Sequence, residues 1–267
     1  MPDLWQFIDD IDADKQAMLV KRLEDRAQMP KFAEIRENYL DKIGLPLSGR
    51  ILELGCGTGA VCRAIASRLG FVGTVIGSDL SAKLIDTAKD ITAKSGLKNI
   101  EYFQADGQGS DAHHGQFDLV LAHTVISHVA DPAAFWREAI RLAGPGGQII
   151  LHDDDYASLA FDTNTPELDR KMPGLILPVA HKNVMREIPR LLRHSGVEIT
   201  HAIGDVMLEI GKFFPGLAKN FGPIAVRAGI VLQAELDHWI EAIDRALSEN
   251  TFFASCNYVT YGMLKGS

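Results

Sequence analysis

The spacing of apolar residues divides the chain into a helical beginning, an alternating middle and a variable end. Near the start, Leu19, Leu23 and Ala27 recur at helical intervals among charged residues, which predicts helices over residues 4–42. Short apolar runs then alternate with helical patterns, and these runs predict strands at 50–54, 73–79, 99–106, 117–126 and 146–153. Strands that alternate with helices indicate a parallel sheet covered by helices on both faces.

The pattern changes after residue 155. Prolines and apolar helices replace the alternation, and two further strand-like runs occur at 196–208 and 252–265. The chain therefore predicts an α/β fold with seven strands and with helical insertions after strands five and six. We expect these insertions, at about 155–195 and 209–250, to form a mobile apolar cover over the sheet. They are called the cover segments below.

Composition narrows the class of protein without identifying a ligand. Of the 267 residues, 46% are apolar and 23% are charged, as in soluble globular proteins. The net charge of −8 argues against a nucleic-acid partner, because such partners need a basic face. The three cysteines show no disulfide or metal-ligand spacing, the N-terminus lacks the apolar core of a secretory leader, and no apolar run is long enough to span a membrane. We therefore expect a cytoplasmic protein without metal or membrane insertion, and the oligomeric state stays open.

Candidate chemistry begins at ILELGCGTGA, residues 51–60, where glycines follow the first predicted strand. The loop does not fit a Walker phosphate site, because it lacks the lysine that such a site requires. It does fit the dinucleotide pattern through Gly55, Gly57 and Ala60, with Asp79 at the end of the second strand. This motif alone therefore leaves open both a dinucleotide and a ligand without phosphate.

Further motifs occur in a fixed order along the middle of the chain. They are ELGCGTG (53–59), GSDLS (77–81), FQADGQ (103–108), FDLVLAHTVISHVADP (117–132) and AGPGGQIILHD (143–153). Together they resemble class I S-adenosylmethionine-dependent methyltransferases, in the branch that contains the ubiquinone and menaquinone C-methyltransferases and many small-molecule methyltransferases. The resemblance covers about residues 36–155 and loosens beyond them.

The resemblance implies a Rossmann-like seven-stranded methyltransferase sheet with S-adenosylmethionine as cofactor. It also implies methyl transfer to carbon, oxygen or nitrogen of a small or medium organic acceptor, for example in quinone or secondary-metabolite biosynthesis. We expect a single methyltransferase domain over residues 1–267. Its parts are N-terminal helices at 1–45, a cofactor-binding core at 46–155, variable cover segments with strand six at 156–250 and a final strand at 251–267.

S-adenosylmethionine carries no phosphate, so the missing phosphate-binding lysine is consistent with it. Its ribose diol suits a carboxylate such as Asp79, which can accept both hydroxyl hydrogens. Leu80 and Leu84 are expected to line the adenine slot, and the resemblance places Asp106 and Gly107 at the ring edge. The full set expected to contact the cofactor is Glu53, Gly55, Cys56, Gly57, Thr58, Gly59, Asp79, Leu80, Leu84, Asp106, Gly107 and His123.

Methyl transfer needs a general base only when the acceptor must lose a proton. Histidine is the natural base near neutral pH, so His128 and His123 are the candidate catalytic residues, with a structural role as the alternative for each. Tyr156 and His181 are candidates for contact with the acceptor. The acidic run at 153–155 suggests a metal site at first. Consecutive residues of an extended chain point to opposite faces, however, so the three acids cannot chelate one ion there.

Two other functions stay open on the sequence. The G-x-G-x-x-A pattern also occurs in nicotinamide-dependent oxidoreductases. A methyltransferase-like chain can also bind its cofactor as a structural or interaction element without turnover. Cofactor titration separates an oxidoreductase from a methyltransferase, and turnover with a broad acceptor panel separates an enzyme from a silent binder.

Overall fold

The computed structural model describes residues 3–109, 116–177, 179–211 and 213–266. Its strands are β1 Arg50–Leu54, β2 Thr74–Asp79, β3 Ile100–Gln104, β4 Phe117–His123, β5 Ala143–Asp162, β6 Val197–Glu209 and β7 Phe253–Lys265. They form one seven-stranded sheet in the order β3-β2-β1-β4-β5-β7-β6. Strands β1 to β5 are parallel, and β7 runs antiparallel to β5 and β6. The predicted seven-stranded α/β sheet is confirmed.

The helices fill the connections that the sequence pattern indicated. A 310 helix, Leu4–Asp10, precedes α1. The α-helices are α1 Ala13–Gln28, α2 Pro30–Ile43, α3 Ala60–Ala66, α4 Ala82–Ser95, α5 Pro132–Leu142, α6 Pro166–Ile176, α7 Val184–Leu191, α8 Phe213–Arg227 and α9 Gln233–Ser248. Asp131 caps α5 as its sequence position suggests, since its side chain accepts hydrogen bonds from the backbone of the first turn.

Two elements differ from the sequence pattern. Strand β5 has 20 residues and runs well beyond the predicted end at residue 153. Its distal part pairs with the start of β7, where Phe161 lies opposite Ala254, and the register shifts between Asp155 and Ala160. Helix α6 lies in the helical insertion predicted after strand five, but the sequence pattern did not give its bounds. The helix begins at Pro166, where the missing N–H of proline costs no hydrogen bond.

The two faces of the sheet pack against different helices. In β1, Ile51 belongs to the cluster under α2 and α3, whereas Leu52 belongs to the cluster under α5 and α7. Adjacent residues of a strand point to opposite faces, so a short apolar run supplies both clusters. The central strands are therefore buried on both sides, and they hold the ends of β1, β2 and β4 in fixed positions.

A third apolar cluster lies above the carboxyl ends of the strands. It joins α6, α8 and α9 to the long ends of β5 and β7, and Trp239 is fully buried within it. The indole N–H of Trp239 donates to Asp169 Oδ1 at 2.8 Å, and Asp169 also accepts hydrogen bonds from Thr163. The buried carboxylate is thus satisfied by neutral donors, which ties this cluster together.

The strand order reverses between β1 and β4, so the crevice at their carboxyl ends is where ligands bind in folds of this kind. No helix in the described part of the chain is long and apolar enough to cross a membrane.

Candidate functional site

A cavity lies at the carboxyl ends of β1, β2 and β4 and receives residues from three regions of the chain. The glycine loop and the ends of β2 and β4 form one side. Apolar residues of the cover segments, including Leu177, Phe213 and Leu217, form another. The N-terminal helices close the cavity through Trp5, Gln6, Arg22, Leu23, Arg26, Phe32 and Arg36. The sequence pattern did not predict this contribution, because α1 resembles an ordinary solvated helix.

The glycine loop turns sharply after β1. Gly55, Gly57 and Gly59 have φ values of 69°, 54° and 75°, in the region that favours glycine. A Cβ on Gly55 would lie 2.3 Å from a methyl carbon of Val125, so this position has no room for a side chain. A ligand in the cavity can therefore approach the backbone of Gly55 and Gly57 closely, because no side chain is in the way.

Gly59 differs from the other two loop glycines. It is absent from the cavity lining, and a Cβ there would lie 2.3 Å from the hydroxyl oxygen of Tyr102. Its expected contact with the cofactor stays a prediction. Gly59 lets α3 begin close to β3, which is a packing role.

Asp79 ends β2 and holds the loop in place. Its Oδ2 accepts the N–H of Gly57 at 2.8 Å, and its Oδ1 accepts the N–H of Ser81 at 3.0 Å. Burial raises the pKa of Asp79, although the hydrogen bonds from Ser81 and Gly57 oppose that rise. An ionised carboxylate has about four lone-pair directions, so both oxygens retain capacity for further donors from the cavity.

The residues expected around the adenine are brought together on the same side of the cavity. Leu80 and Leu84 lie in the lining with Asp106 and Gly107. A Cβ on Gly107 would lie 2.7 Å from the ring of Phe135, so the backbone there approaches the aromatic wall closely. Apolar walls with a carboxylate at the edge suit a purine that needs a slot and a few polar contacts.

Glu53 and Thr58 line the cavity but also hold the loop. Cys62 Sγ donates to Glu53 Oε2 at 2.8 Å, and burial raises the pKa of Glu53 to about 8. Thr58 Oγ1 donates to Glu24 Oε1 at 2.5 Å, and Arg63 pairs with the same carboxylate at 2.8 Å. Helix α1 is thereby bound to the glycine loop.

The donors and acceptors of this region fit S-adenosylmethionine. Asp79 supplies a carboxylate that can accept hydrogen bonds from a ribose diol, and Glu53 is a second acid at the glycine loop. Among the described residues that line the cavity there is no lysine, which a phosphate ligand would favour. When bound, the cofactor supplies an activated methyl group on a sulfonium.

His128 is the centre of a polar cluster. Its Nδ1 lies 2.7 Å from Asp3 Oδ2, and its Nε2 lies 3.3 Å from the hydroxyl of Tyr156. Burial opposes protonation of the ring, but the hydrogen bond and charge of Asp3 outweigh it and raise the pKa of His128. Asp3 also accepts the N–H groups of Trp5 and Ala180. Sequence reasoning missed Asp3, because it is 125 residues from His128 and lies in no recognisable motif.

His123 has a different environment. Its Nδ1 lies 2.9 Å from the hydroxyl of Tyr39, and its ring stacks on His152 at 4.6 Å between centroids. Burial lowers the pKa of His123 well below its ordinary value, and the neighbouring His152 lowers it further. A ring that resists protonation this strongly is a poor proton acceptor, so the geometry favours the structural alternative for His123.

Of the two residues expected to contact an acceptor, Tyr156 lines the cavity and His181 does not. The backbone N–H of His181 donates to Ser127 O at 2.9 Å, which fixes the loop before α7 instead. His181 therefore lies outside the described cavity lining, and its contact with an acceptor stays a prediction.

The three acids at 153–155 have separate partners. Asp153 Oδ2 accepts the N–H of Ser127 at 3.0 Å, Asp154 pairs with Arg26 at 3.1 Å and Asp155 pairs with Arg186 at 2.7 Å. Within the ranges that the structure describes, no group of three or more metal-ligand side chains comes together.

The chain is similar in sequence to known methyltransferases. Residues 52–151 match the family described as Methyltransferase domain. A ubiquinone biosynthesis O-methyltransferase of Thiobacillus denitrificans is 37% identical over 204 residues, which cover 67% of this chain and 86% of the relative. Another of that name, from Saccharophagus degradans, is 32% identical over 194 residues, covering 70% and 79%.

The fold is also shared with a solved structure. A candidate methyltransferase from Bacillus halodurans C-125 superposes with a TM-score of 0.61 at 18% identity, covering 87% of this chain and 99% of that one. Nothing in the comparisons supports a nicotinamide-dependent oxidoreductase. The chain therefore belongs to the class I S-adenosylmethionine-dependent methyltransferases, in the branch of the ubiquinone methyltransferases, and it is an enzyme that methylates small molecules.

Proposed function

We propose that the enzyme transfers the methyl group to a hydroxyl oxygen of a small aromatic acceptor, with His128 as general base. The observation that supports this most strongly is the row Asp3–His128–Tyr156, in which His128 Nδ1 is bonded to a carboxylate and Nε2 lies 3.3 Å from the hydroxyl of Tyr156, with both His128 and Tyr156 in the cavity lining. A base is needed for a hydroxyl acceptor, because a neutral hydroxyl is a weak nucleophile until it loses its proton.

In the proposed reaction, His128 takes the proton that the acceptor hydroxyl loses. The acceptor hydroxyl gives its proton to His128 Nε2 while its oxygen forms a bond to the methyl carbon. The cofactor would supply the methyl group by cleavage of its methyl–sulfur bond, with S-adenosylhomocysteine as the second product. Asp3 holds Nδ1–H at 2.7 Å, which makes Nε2 the accepting ring nitrogen and stabilises the imidazolium that forms. The hydroxyl of Tyr156 lies 3.3 Å from Nε2, so the acceptor hydroxyl would take its place as donor.

The names of the relatives agree with an oxygen acceptor. The proteins from Thiobacillus denitrificans and Saccharophagus degradans are both named ubiquinone biosynthesis O-methyltransferase. The cavity also suits an aromatic or isoprenoid body, since Phe32, Phe213 and Phe221 line it. We extend oxygen transfer, but not the ubiquinone precursor itself, to this chain.

We propose further that Glu53, Asp79 and Asp106 are the acids that hold the cofactor. Asp79 would accept from the ribose diol, Glu53 would face the methionyl ammonium and Asp106 would meet the adenine edge. All three line the same cavity, in the order in which their strands lie in the sheet. The protein would align the two reactants and exclude water, which contributes much of the rate enhancement in such displacements.

We also propose a single domain, a cytoplasmic location and a small-molecule partner. All seven strands belong to one continuous sheet, which supports a single domain. All three cysteines, Cys56, Cys62 and Cys256, are buried free thiols, which supports a reducing compartment such as the cytoplasm. The net charge of −8 supports a small-molecule partner in preference to a nucleic acid.

A turnover assay tests the proposed function. Purified enzyme is incubated with S-adenosylmethionine and a panel of catechols, phenols, amines and carbon nucleophiles, and the product is identified by mass spectrometry and NMR. We expect O-methylated product from a catechol or phenol. His128→Gln should lower kcat by about a hundredfold or more while calorimetry shows unchanged affinity for S-adenosylhomocysteine.

His201→Gln is the matched control, because His201 lies on β6 outside the cavity lining and its ring bonds to the adjacent Thr200 side chain. Its turnover should match the wild type. Methylation of amines or carbon alone, or full turnover by His128→Gln, would show that the proposed hydroxyl chemistry is wrong.

A further inference from the structure

Within the part of the chain that the structure describes, the cavity contains one arginine that no carboxylate neutralises. Of the described lining residues, three are arginines, and two of them have acidic partners: Arg26 pairs with Asp154 at 3.1 Å, and Arg36 pairs with Glu37 at 3.0 Å. Arg22 makes no hydrogen bond or salt bridge to any of the described residues, 3–109, 116–177, 179–211 and 213–266. Its position on α1 is one turn before Arg26.

The surroundings of Arg22 are aromatic. Its guanidinium carbon lies 4.7 Å from the ring centroid of Phe213 and 5.5 Å from that of Phe221. Both rings belong to α8 and also line the cavity. Aromatic faces stabilise a cation partly, but they provide no oxygen acceptors for the N–H groups of the guanidinium.

Burial makes the unpaired charge costly. Desolvation lowers the pKa of Arg22 to about 10, and the like charge of Arg26 adds to this effect. Asp154 acts on Arg22 only through its charge, since that carboxylate is bonded to Arg26. Arg22 therefore stays charged at neutral pH in a place where an anion from the cavity would relieve both the desolvation and the repulsion.

We infer that Arg22 determines acceptor specificity by pairing with a carboxylate on the acceptor, so that the substrate is an apolar, anionic molecule. This rests on the proposed function, since it takes the cavity as the acceptor site. The fork of N–H groups on a guanidinium matches the two oxygens of a carboxylate, and the rings of Phe213 and Phe221 would pack on the apolar body beside it.

The charge balance of the reaction favours the same assignment. The methyl donor carries a positive sulfonium, and Arg22 adds a second positive charge to the same cavity. With a neutral acceptor, Arg22 would share the charge of Asp154 with Arg26, which is bonded to that carboxylate. An acceptor carboxylate would compensate Arg22 and fix the molecule in one orientation, which would present a single hydroxyl to His128.

Equilibrium binding of matched probes tests this inference. The probes are 3,4-dihydroxybenzoate with its amide and 3,4-dihydroxycinnamate with its amide, titrated into enzyme saturated with S-adenosylhomocysteine. Each pair differs in charge and not in ring substitution. We expect the wild type to bind at least one acid tenfold or more tightly than its amide. Arg22→Met, which retains the apolar stem, should abolish that preference, and Arg22→Lys should retain part of it.

Arg50→Met is the matched control. Arg50 also stacks on an aromatic ring, with its guanidinium carbon 4.7 Å from the centroid of Phe117, but it lies outside the cavity lining. The preference for acids should be unchanged in this variant. A wild type that binds neither acid more tightly than its amide, or that binds none of the four probes, overturns the inference.

Three further outcomes separate specificity from packing and from the proposed function. If Arg22→Met weakens acid and amide equally, Arg22 only holds α1 against α8, and the inference fails. If the wild type methylates acid and amide at equal efficiency, the inference fails while the proposed O-methylation stands. If the acids bind with the expected preference but are methylated by His128→Gln as fast as by the wild type, the proposed role of His128 fails and the Arg22 assignment stands.

Discussion

Replacing Asp79 with asparagine tests the cofactor end of the cavity. In the wild type, Oδ2 accepts the Gly57 N–H at 2.8 Å and Oδ1 accepts the Ser81 N–H at 3.0 Å. An asparagine at this position would not supply two acceptors, because one carboxylate oxygen becomes an NH2 group that donates only. Asp79→Asn thus keeps the size of the side chain while it removes the charge and one of the two acceptor atoms.

The expected loss of affinity follows from these contacts. Two hydrogen bonds from a ribose diol to a carboxylate are charge-assisted, at about 1.5–3 kcal/mol each, whereas a neutral bond contributes roughly 0.5–1.5 kcal/mol. Asparagine retains one bond of the neutral kind. We expect the lower part of the resulting range, a net loss of about 2–3 kcal/mol, because both oxygens already accept backbone hydrogen bonds. This loss corresponds to roughly 30- to 150-fold weaker binding, since 1.4 kcal/mol is a factor of about ten.

Isothermal titration calorimetry with S-adenosylhomocysteine measures this loss directly. Asp86→Asn is the control, because Asp86 is an exposed acid on α4 outside the cavity lining, and the cofactor affinity of this variant should match that of the wild type. Thermal unfolding of both variants shows whether the fold is kept. Cofactor affinity of a folded Asp79→Asn variant within about threefold of the wild type, less than about 0.7 kcal/mol, would refute the assigned role of Asp79.

The protonation state of Asp79 adds a pH dependence to the same measurement. Burial raises the pKa of Asp79 above its ordinary value. Only the ionised carboxylate accepts from both hydroxyls, so wild-type affinity should be full above the raised pKa and should fall as the pH is lowered through it. Asp79→Asn should lack this component. Equal pH dependence in the two proteins would assign the titration to another group.

Three other predictions concern the base, the loop and the cover. Because the pKa of His128 is raised, kcat/KM should increase with pH as the ring loses its proton. Asp3→Asn removes the charge that raises this pKa, so the increase should occur at lower pH. A pH profile of kcat/KM that is the same in both proteins would exclude His128 as the titrating base. Gly55→Ala should lower the free energy of unfolding by about 2 kcal/mol or more, because φ is 69° and the new methyl would meet Val125, and urea denaturation measures this. Hydrogen exchange should be faster in the cover segments than in β1 and should slow when cofactor product and acceptor are both bound; equal protection without ligands would mark the cover as rigid core.

The sheet was predictable from the sequence because its signal is local. The run RILEL at β1 supplies buried apolar residues to both faces, and helical patterns of ordinary length separate β1 from β2, β2 from β3 and β4 from β5. The same argument predicted that Gly55, Gly57, Asp79 and Leu84 meet at one edge, since the carboxyl ends of parallel strands converge there, and the family resemblance added Gly107.

The parts that were missed depend on contacts between distant segments. Asp3 reaches His128 across 125 residues, and no spacing rule relates them. Arg22 lies on a helix whose charged residues alternate as on a solvated surface, and only the packing of α8 over α1 places it in a cavity. Strand β5 continues past its predicted end because β7, which lies far along the chain, supplies a partner for its second half.

The central claim is that one cavity holds the cofactor at Asp79 and presents an acceptor hydroxyl to His128. A crystal structure with S-adenosylhomocysteine and the unmethylated acceptor identified by the turnover assay tests it most directly. We expect the ribose diol on the carboxylate of Asp79 and an acceptor hydroxyl within hydrogen-bond distance of His128 Nε2, on the sulfur side of the cofactor. S-adenosylhomocysteine bound away from the glycine loop, or an acceptor whose hydroxyl lies far from His128, would contradict the claim.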